Sequence, residues 1–247
     1  MDMDNTTAVL TFDRGKTIKR MNIVIPALIL CMIGDYCIGA EPRGSETLGG
    51  IASSGWLTIS DLRIGISNLF GAIGSVMYAI GAVEFVKYLL IMAKALQRKA
   101  DRIWTYLYTS GLGIGCVSFM YFHISCGELI HHFNVLYEVT GGDIQKTTDA
   151  WTRLFMTEAV PYILFFTVFD ALTTVAWAVL IWRRILPVSR WWILAAPLVM
   201  AGIGTALEIV PLPFSGINSG FESLGWMLMF ICGIRYIRSE PDRNIDL

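Results

Sequence analysis

Charged residues are scarce in this chain of 247 residues: Asp, Glu, Lys and Arg make up 16% of it, against 55% hydrophobic residues. Soluble globular domains carry about 25% charged residues, so this balance excludes an ordinary soluble domain. The formal net charge of −1, with no basic stripe interleaved with aromatic residues, excludes nucleic acid as a predicted partner. The mean hydropathy of +0.58 instead indicates that the lipid bilayer is the principal partner.

The sequence also lacks the short motifs of common catalytic and metal sites. It contains no HExxH, no paired CxxC, no GxSxG and no P-loop lysine motif, so the catalytic residues, if any exist, stay unknown. The five cysteines are odd in number and fall mostly inside apolar segments, which predicts no disulfide framework. Cys37 and Cys126 lie at predicted outer ends of two segments and are the one pair that could join.

Six segments are apolar enough to cross a bilayer core about 30 Å thick, which needs about 20 helical residues. They predict an all-α fold, a polytopic transmembrane helix bundle with spans at about 22–40, 64–83, 103–127, 158–182, 191–207 and 221–237. A seventh segment follows if Glu128 to Tyr137 forms a separate interfacial helix. The predicted organisation is a cytoplasmic N-terminal segment (1–20), a single transmembrane helical domain (21–237) and a cytoplasmic C-terminal tail (238–247).

Lysine and arginine alternate between the predicted loops. Most lie just before the first span or in 94–102, 183–190 and 235–243, whereas the other loops hold only Arg43, Arg63, Lys146 and Arg153. Cytoplasmic loops of membrane proteins retain positive charge. The pattern therefore predicts a multi-pass protein of the cell (plasma or inner) membrane with both termini in the cytoplasm.

A few ionisable residues fall inside these spans, where each costs about 2.5–3.5 kcal/mol on insertion scales. Asp35 and His123 lie in the outer halves of the first and third spans. Asp170 lies deepest and shares a helical face with three threonines, Thr167, Thr173 and Thr174. These residues predict an outward-facing polar cavity, with further candidate lining residues at the span ends: Asp61, Arg63, Glu158 and Glu208.

Two plainer interpretations of these residues stay open. Asp170 could be protonated and hydrogen-bonded to its own threonines or to a neighbouring helix. The acidic residues at the span ends could simply face water at the membrane surface.

A divalent metal such as zinc is the sharpest chemical alternative. Glu128, His131 and His132 follow one another at helical spacing, so the carboxylate and an imidazole share one face. Nitrogen and oxygen ligands of this kind suit zinc. A pair of histidines in an interfacial loop is more often solvated than a set of metal ligands, and no other cofactor is predicted.

Small residues recur at four-residue spacing in several predicted spans. They are Ser67, Gly71 and Ser75 in the second span, Gly111 and Gly115 in the third, and Gly202 and Ala206 in the fifth. Such stripes let helices approach closely in a membrane. They predict packing within one subunit or, alternatively, a homo-dimer face.

An ordered set of motifs extends over most of the chain. It begins with Gly34-Asp35 and the sequence from Ser60 to Gly65, and continues through a glycine-rich stretch to Gly81. Ala196-Pro197-Leu198, Pro211-Leu212-Pro213 and Gly225-Trp226 complete it. In this set the chain resembles a bacterial family of small polytopic membrane proteins known only as a domain of unknown function. The resemblance implies a shared membrane fold and assigns no activity to any residue.

Three functions fit these features. The first is an integral membrane protein whose outward-facing acidic and histidine-containing cavity binds a small or amphiphilic ligand. The second is an intramembrane enzyme, metal-dependent or not, that acts on a lipid or isoprenoid with the same residues as acid, base or ligands. The third is a small proton-coupled transporter that acts as a dimer, with Asp170 as its titrating group.

Overall fold

The computed structural model describes residues 13–48, 52–212 and 214–240. The fold is all-α and 82% helical. The helices in the described ranges are α1 (Arg14–Met21), α2 (Val24–Gly39), α3 (Asp61–Ala95), α4 (Lys99–Val139), α5 (Ile144–Leu154), α6 (Val160–Trp182), α7 (Pro197–Leu207) and α8 (Phe221–Ser239).

Short irregular elements join these helices. A π-helical turn at Phe155–Ala159 leads from α5 into α6, and 3-10 turns precede α3, α7 and α8 at Ser54–Thr58, Arg190–Ala195 and Ile217–Gly220. Four two-residue strands pair as antiparallel bridges: β1 (Glu41–Pro42) with β4 (Phe214–Ser215), and β2 (Thr47–Leu48) with β3 (Ala52–Ser53). The first bridge ties the loop after α2 to the loop before α8.

Local sequence signals explain where several helices begin. The Ser60 side chain accepts a hydrogen bond from the Arg63 backbone N–H at 3.4 Å and so caps the start of α3. Asp143 caps α5 by accepting from the Lys146 backbone N–H at 3.1 Å, and this hydrogen bond lowers the pKa of Asp143. Pro197 occupies the first turn of α7, where a missing N–H costs nothing.

The core lies between α3, α4 and the helices packed on them. α2 packs on α3, α6 packs on α4, and α8 packs on α2 and α7. Buried aromatic rings fill the centre edge to face, with the Tyr78 ring centroid 4.8 Å from Phe119 and 5.4 Å from Phe230. Such ring pairs add about 0.5–1.5 kcal/mol each beyond the apolar area they bury.

Within the described part of the chain, five helical stretches are long and apolar enough to cross a membrane. They are Arg14–Gly39, Asp61–Ala95, Lys99–Val139, Ile163–Trp182 and Ile217–Ser239. The expected fifth span at 191–207 differs, because Arg190–Ala195 forms a 3-10 turn and Ala196 is extended before the 11-residue α7. Pro197 causes this break, since it cannot donate the backbone hydrogen bond that would continue a helix through it.

The segment from Glu128 to Tyr137 is not a separate interfacial helix. It continues α4, which runs for 41 residues. At 1.5 Å per residue such a helix is about 60 Å long, twice the thickness of a bilayer core. The alternative of a seventh, separate segment is therefore wrong, and no glycine or proline in this stretch would end the helix.

The end of α4 supports a small second layer, which we name the cap: residues 41–48 and 52–60, the last turns of α4, and α5. The rings of Trp56, Phe133 and Trp151 pack together there, with the Trp56 and Trp151 centroids 5.3 Å apart. The Trp151 indole N–H donates to the Leu129 carbonyl at 2.9 Å, so α5 folds back onto α4.

The start of α1 and the end of α8 meet at the opposite end of the bundle, which we name the basic end. Arg14 in α1 donates to the carbonyl of Arg238 in α8. At this end the Arg20 guanidinium lies 2.5 Å from the Glu84 carboxylate. Residues 14–20, which belong to the expected cytoplasmic N-terminal segment, form most of α1, and α1 packs against α3 and α8.

The small-residue stripes of α3 and α4 contact helices of the same chain. Gly71 lies against His123 across the α3–α4 contact, and Gly111 lies against Thr173 across the α4–α6 contact. Gly202 has open space around it. All five cysteines are free, so Cys37 and Cys126 do not form the disulfide that their predicted positions allowed.

We expect Gly74→Leu to destabilise the bundle. A Cβ on Gly74 would lie 2.6 Å from the Cys31 sulfur and 2.8 Å from the Ala27 carbonyl oxygen of α2. Overpacking of this kind costs about 1–3 kcal/mol. Thermal unfolding in detergent would measure the loss. Gly65→Leu in the same helix is the control, because a Cβ there meets no atom within 4 Å; equal stability of the two variants would contradict this α2–α3 packing.

Candidate functional site

A cavity of about 680 Å³ lies at the cap end of the bundle, between the end of α2, the middle of α4, α7 and the start of α8. It reaches the loops that β1 and β4 tie together. Its lining residues are Asp35, Ile38, Gly39, Glu41, Trp56, Phe122, His123, Cys126, Leu129, Ile130, Phe155, Ala201, Thr205, Ser215, Gly216, Asn218, Ser219 and Glu222.

Asp35 and His123 meet in this cavity. One Asp35 carboxylate oxygen accepts from the Ser223 hydroxyl at 2.7 Å, and the other lies 3.4 Å from the Nδ1 atom of His123. This second distance allows an ion pair but lacks hydrogen-bond alignment, so Nδ1 is a buried atom with no hydrogen-bond partner among the described residues. The Asp35 carboxylate therefore accepts one hydrogen bond, from Ser223, and lies beside the His123 imidazole without a hydrogen bond to it.

Glycines make room for this arrangement. A Cβ on Gly71 of α3 would collide with the His123 side chain, so the imidazole occupies space that only glycine leaves free. At the cavity mouth Gly216 adopts a left-handed conformation with φ of 86° directly against the Gly39 carbonyl. Any side chain at Gly216 would separate the loop before α8 from the end of α2.

Two glutamates add carboxyl groups to the cavity wall. Glu41 accepts a hydrogen bond from the Ser53 hydroxyl in the cap. Glu222, at the start of α8, lies within electrostatic range of both Asp35 and Asp170. Glu222 also lines a second, adjoining cavity, so its carboxyl group joins the two spaces.

The second cavity has a volume of about 260 Å³ and contains Asp170. It shares Phe122, Cys126, Leu129 and Glu222 with the larger cavity. The Asp170 side chain is 0% exposed, and neither of its oxygens has a hydrogen-bond partner in the described part of the chain. An unsatisfied buried carboxyl group is costly, which makes this position the most unusual in the bundle.

The threonines near Asp170 do not satisfy it. Thr173 donates to the Phe169 carbonyl of its own helix at 2.9 Å, and the Thr174 hydroxyl accepts from the Leu198 backbone N–H at 3.4 Å. Thr167 lines the second cavity beside Asp170. The plainer interpretation, a carboxyl group bonded to its own threonine stripe, therefore has no hydrogen bond to support it.

Three predicted site residues lie elsewhere. Arg63 donates to the carbonyls of Cys37 and Ala40 at 2.8 and 2.7 Å, so it ties the end of α2 to α3. Glu208 accepts from the Asn218 backbone N–H at 3.0 Å and holds the loop after α7. Asp61 has an 84% exposed side chain and does not line either cavity. The side chain of Glu158 lies outside the described residues.

The residues proposed for a metal site face different partners. His132 lies 3.8 Å from Glu128, whereas His131 lies 3.3 Å from Asp61, and all four side chains are substantially exposed. Across residues 13–48, 52–212 and 214–240, no group of three or more His, Cys, Asp or Glu side chains is placed to hold a metal ion.

Sequence reasoning missed two residues of the site. Neither Glu222 nor Ser223 is among the lining residues that the sequence predicts. The available signal was an acidic and a hydroxyl residue together in the first turn of a short apolar helix. Placing such a pair in contact with lipid has a high free-energy cost, so a polar space inside the bundle explains it better.

The fold and the site together define a class: an all-α helical bundle with an acidic cavity beneath a small cap. Residues 3–240 match the family described as Family of unknown function (DUF6796), and the chain belongs to this family. No curated protein and no solved structure matches the chain significantly.

We expect Arg63→Lys to lower stability while the cavity remains intact. Lysine keeps the charge but cannot donate two hydrogen bonds in a fixed fork to the Cys37 and Ala40 carbonyls. Loss of one such bond costs about 1–3 kcal/mol. Thermal unfolding in detergent is the readout. Arg153→Lys, at an exposed position of α5, is the matched control. If the two variants unfold at the same temperature, Arg63 does not hold the end of α2.

Proposed function

We propose that this chain is an integral membrane protein that binds a small or amphiphilic ligand in an outward-facing polar cavity. The observation that carries the proposal is the convergence of Asp35, His123 and Glu222 on a space of about 680 Å³. Ligand pockets typically measure about 300–1,000 Å³. A cavity of this size with ionisable walls is costly to maintain inside an apolar bundle unless it serves binding.

The two sides of the cavity match an amphiphile. Trp56, Phe122 and Phe155 offer apolar surface, while Asp35 and Glu222 offer polar groups. A ligand with an apolar body and a polar head satisfies both sides at once, whereas water alone would leave the aromatic side chains wetted.

Six membrane crossings fit this proposal. The five long apolar stretches supply five of them. The fifth crossing in chain order would be composite: the six-residue 3-10 turn rises about 12 Å and the 11-residue α7 about 16 Å. Together they approach the bilayer core of about 30 Å. The contact between Arg14 and Arg238 supports an even number of crossings, since it joins the start of α1 to the end of α8.

The charge distribution supports one orientation. Arg20, Arg183 and Arg238 lie towards the basic end, so positive charge there favours the cytoplasm. The cap and the cavity mouth would then face the outside of the cell (plasma or inner) membrane.

Reporter fusions test this topology. We expect green fluorescent protein to fluoresce when fused after Pro187 or Glu240, and alkaline phosphatase to be active when fused after Gly142 or Leu212. The Leu212 fusion decides whether the composite segment crosses. A fluorescent, phosphatase-inactive fusion after Leu212 would contradict six crossings and would move the C-terminus to the other side.

Filling the cavity tests ligand binding. We expect at least one of three eight-carbon probes, octylamine, octanol and octanoate, to raise the unfolding temperature of the purified protein. Ala201→Trp should abolish the shift, because Ala201 lines the cavity. Ala206→Trp is the control on the same helix, since Ala206 is exposed and does not line the cavity. Equal shifts in both variants, or none in the native protein, would contradict a binding cavity.

A further inference from the structure

We infer that the ligand is an organic cation, an amphiphile with a protonated amino group, held where Asp35, Glu222 and Asp170 surround two adjoining cavities. This inference rests on the proposed function and specifies its ligand class. Three features support it: the acidic lining of both cavities, the buried Asp170 carboxyl group without a hydrogen-bond partner, and the residues that line both cavities.

The ionisable groups in the cavity walls are nearly all carboxyl groups. Asp35, Glu41 and Glu222 line the larger cavity, and Glu222 and Asp170 line the smaller one. No lysine or arginine of the described chain lines either cavity, and His123 is the one basic side chain that does. An anionic ligand would meet carboxyl groups whose ionised forms repel it strongly in a medium of low dielectric constant, and no lysine or arginine side chain would offset that repulsion. A cation would meet attraction from two or more sides.

Asp170 supplies the second, independent observation. Its carboxyl group is completely buried, lines the smaller cavity and has no donor among the described residues. It therefore lacks the hydrogen bonds that a buried carboxylate requires. An ammonium group offers three donors and no acceptor, which complements a site of carboxyl groups.

The junction of the cavities suits the proposed ligand. Glu222 and Phe122 line both spaces, so an ammonium group near Glu222 can also approach Asp170. The larger cavity then leaves Trp56, Phe155 and Ile130 to contact an alkyl or aromatic body. Aromatic faces also attract cations, which adds to the preference.

An inorganic cation fits less well. In the described part of the chain no three His, Cys, Asp or Glu side chains are close enough together to ligate one metal ion. Asp35 is engaged by Ser223, and the aromatic wall offers a metal ion no ligand. An extended organic cation uses both the carboxyl groups and the apolar side chains.

The test compares head groups on one alkyl chain. Octylamine, octanol and octanoate are titrated into purified protein at neutral pH. Binding that is lost in the Ala201→Trp variant is counted as binding in the cavity, because Ala201 lines it. We expect octylamine to bind at least about tenfold more tightly than octanol, with octanoate weakest, a factor that corresponds to about 1.4 kcal/mol. Glu222→Gln and Asp170→Asn should each reduce the amine preference at least about threefold.

Matched variants keep the test interpretable. Asp61→Asn removes an exposed carboxylate outside both cavities and should leave the preference unchanged. Asp35→Asn is a further cavity variant, used if Asp170→Asn fails to elute as a folded species in size-exclusion chromatography. An unchanged preference in every folded cavity variant would overturn the inference.

The outcomes separate this inference from the function on which it rests. If octanol or octanoate binds as tightly as octylamine and Ala201→Trp removes that binding, the cavity stands and the cationic ligand is wrong. If calcium or zinc ions displace octylamine competitively at micromolar concentration, the site is inorganic and the inference fails. If none of the three probes binds in the cavity, the proposed function fails as well.

Discussion

The bundle is organised by the cost of placing carboxyl groups among apolar helices. Each such group costs about 2.5–3.5 kcal/mol on insertion scales unless it finds donors or water. Asp35 accepts a hydrogen bond from the Ser223 hydroxyl and lies beside His123, whereas Asp170 accepts no hydrogen bond from any described residue. Glu222 connects the two, because it lines both of their cavities. The polar groups therefore form one continuous site instead of several separately neutralised positions.

The surrounding packing keeps that site open. Gly71 admits the imidazole of His123 between α3 and α4, and Gly216 brings the loop before α8 against the end of α2. The long α4 continues beyond the bundle and supports the cap, where Trp151 bonds to the Leu129 carbonyl. Arg63 fixes the end of α2 beside these elements. These close helix contacts and the packed cap thus hold the walls of the cavity apart.

The sequence predicts much of the helical bundle, and part of the site, for physical reasons. Asp35 and His123 could be predicted because both lie in apolar helical runs, where an ionisable group must face protein or water. Arg63 and Glu208 could not be assigned correctly, because their partners are backbone groups of distant loops. The broken segment before α7 escaped hydropathy analysis, which counts apolar residues and ignores the backbone effect of Pro197. Glu222 escaped because a charge near the end of a span usually marks the membrane surface.

Accessibility of position 222 to a water-soluble reagent tests the central claim most directly. The chain is stripped of its five native cysteines, Glu222→Cys is introduced, and a charged, membrane-impermeant methanethiosulfonate is added to oriented vesicles. The account predicts reaction from the cap side and none from the basic end, since Glu222 lines a cavity that reaches the loops at the cap end. Reaction from the basic end, or protection from both sides while a lipid-soluble reagent labels the cysteine, would contradict it.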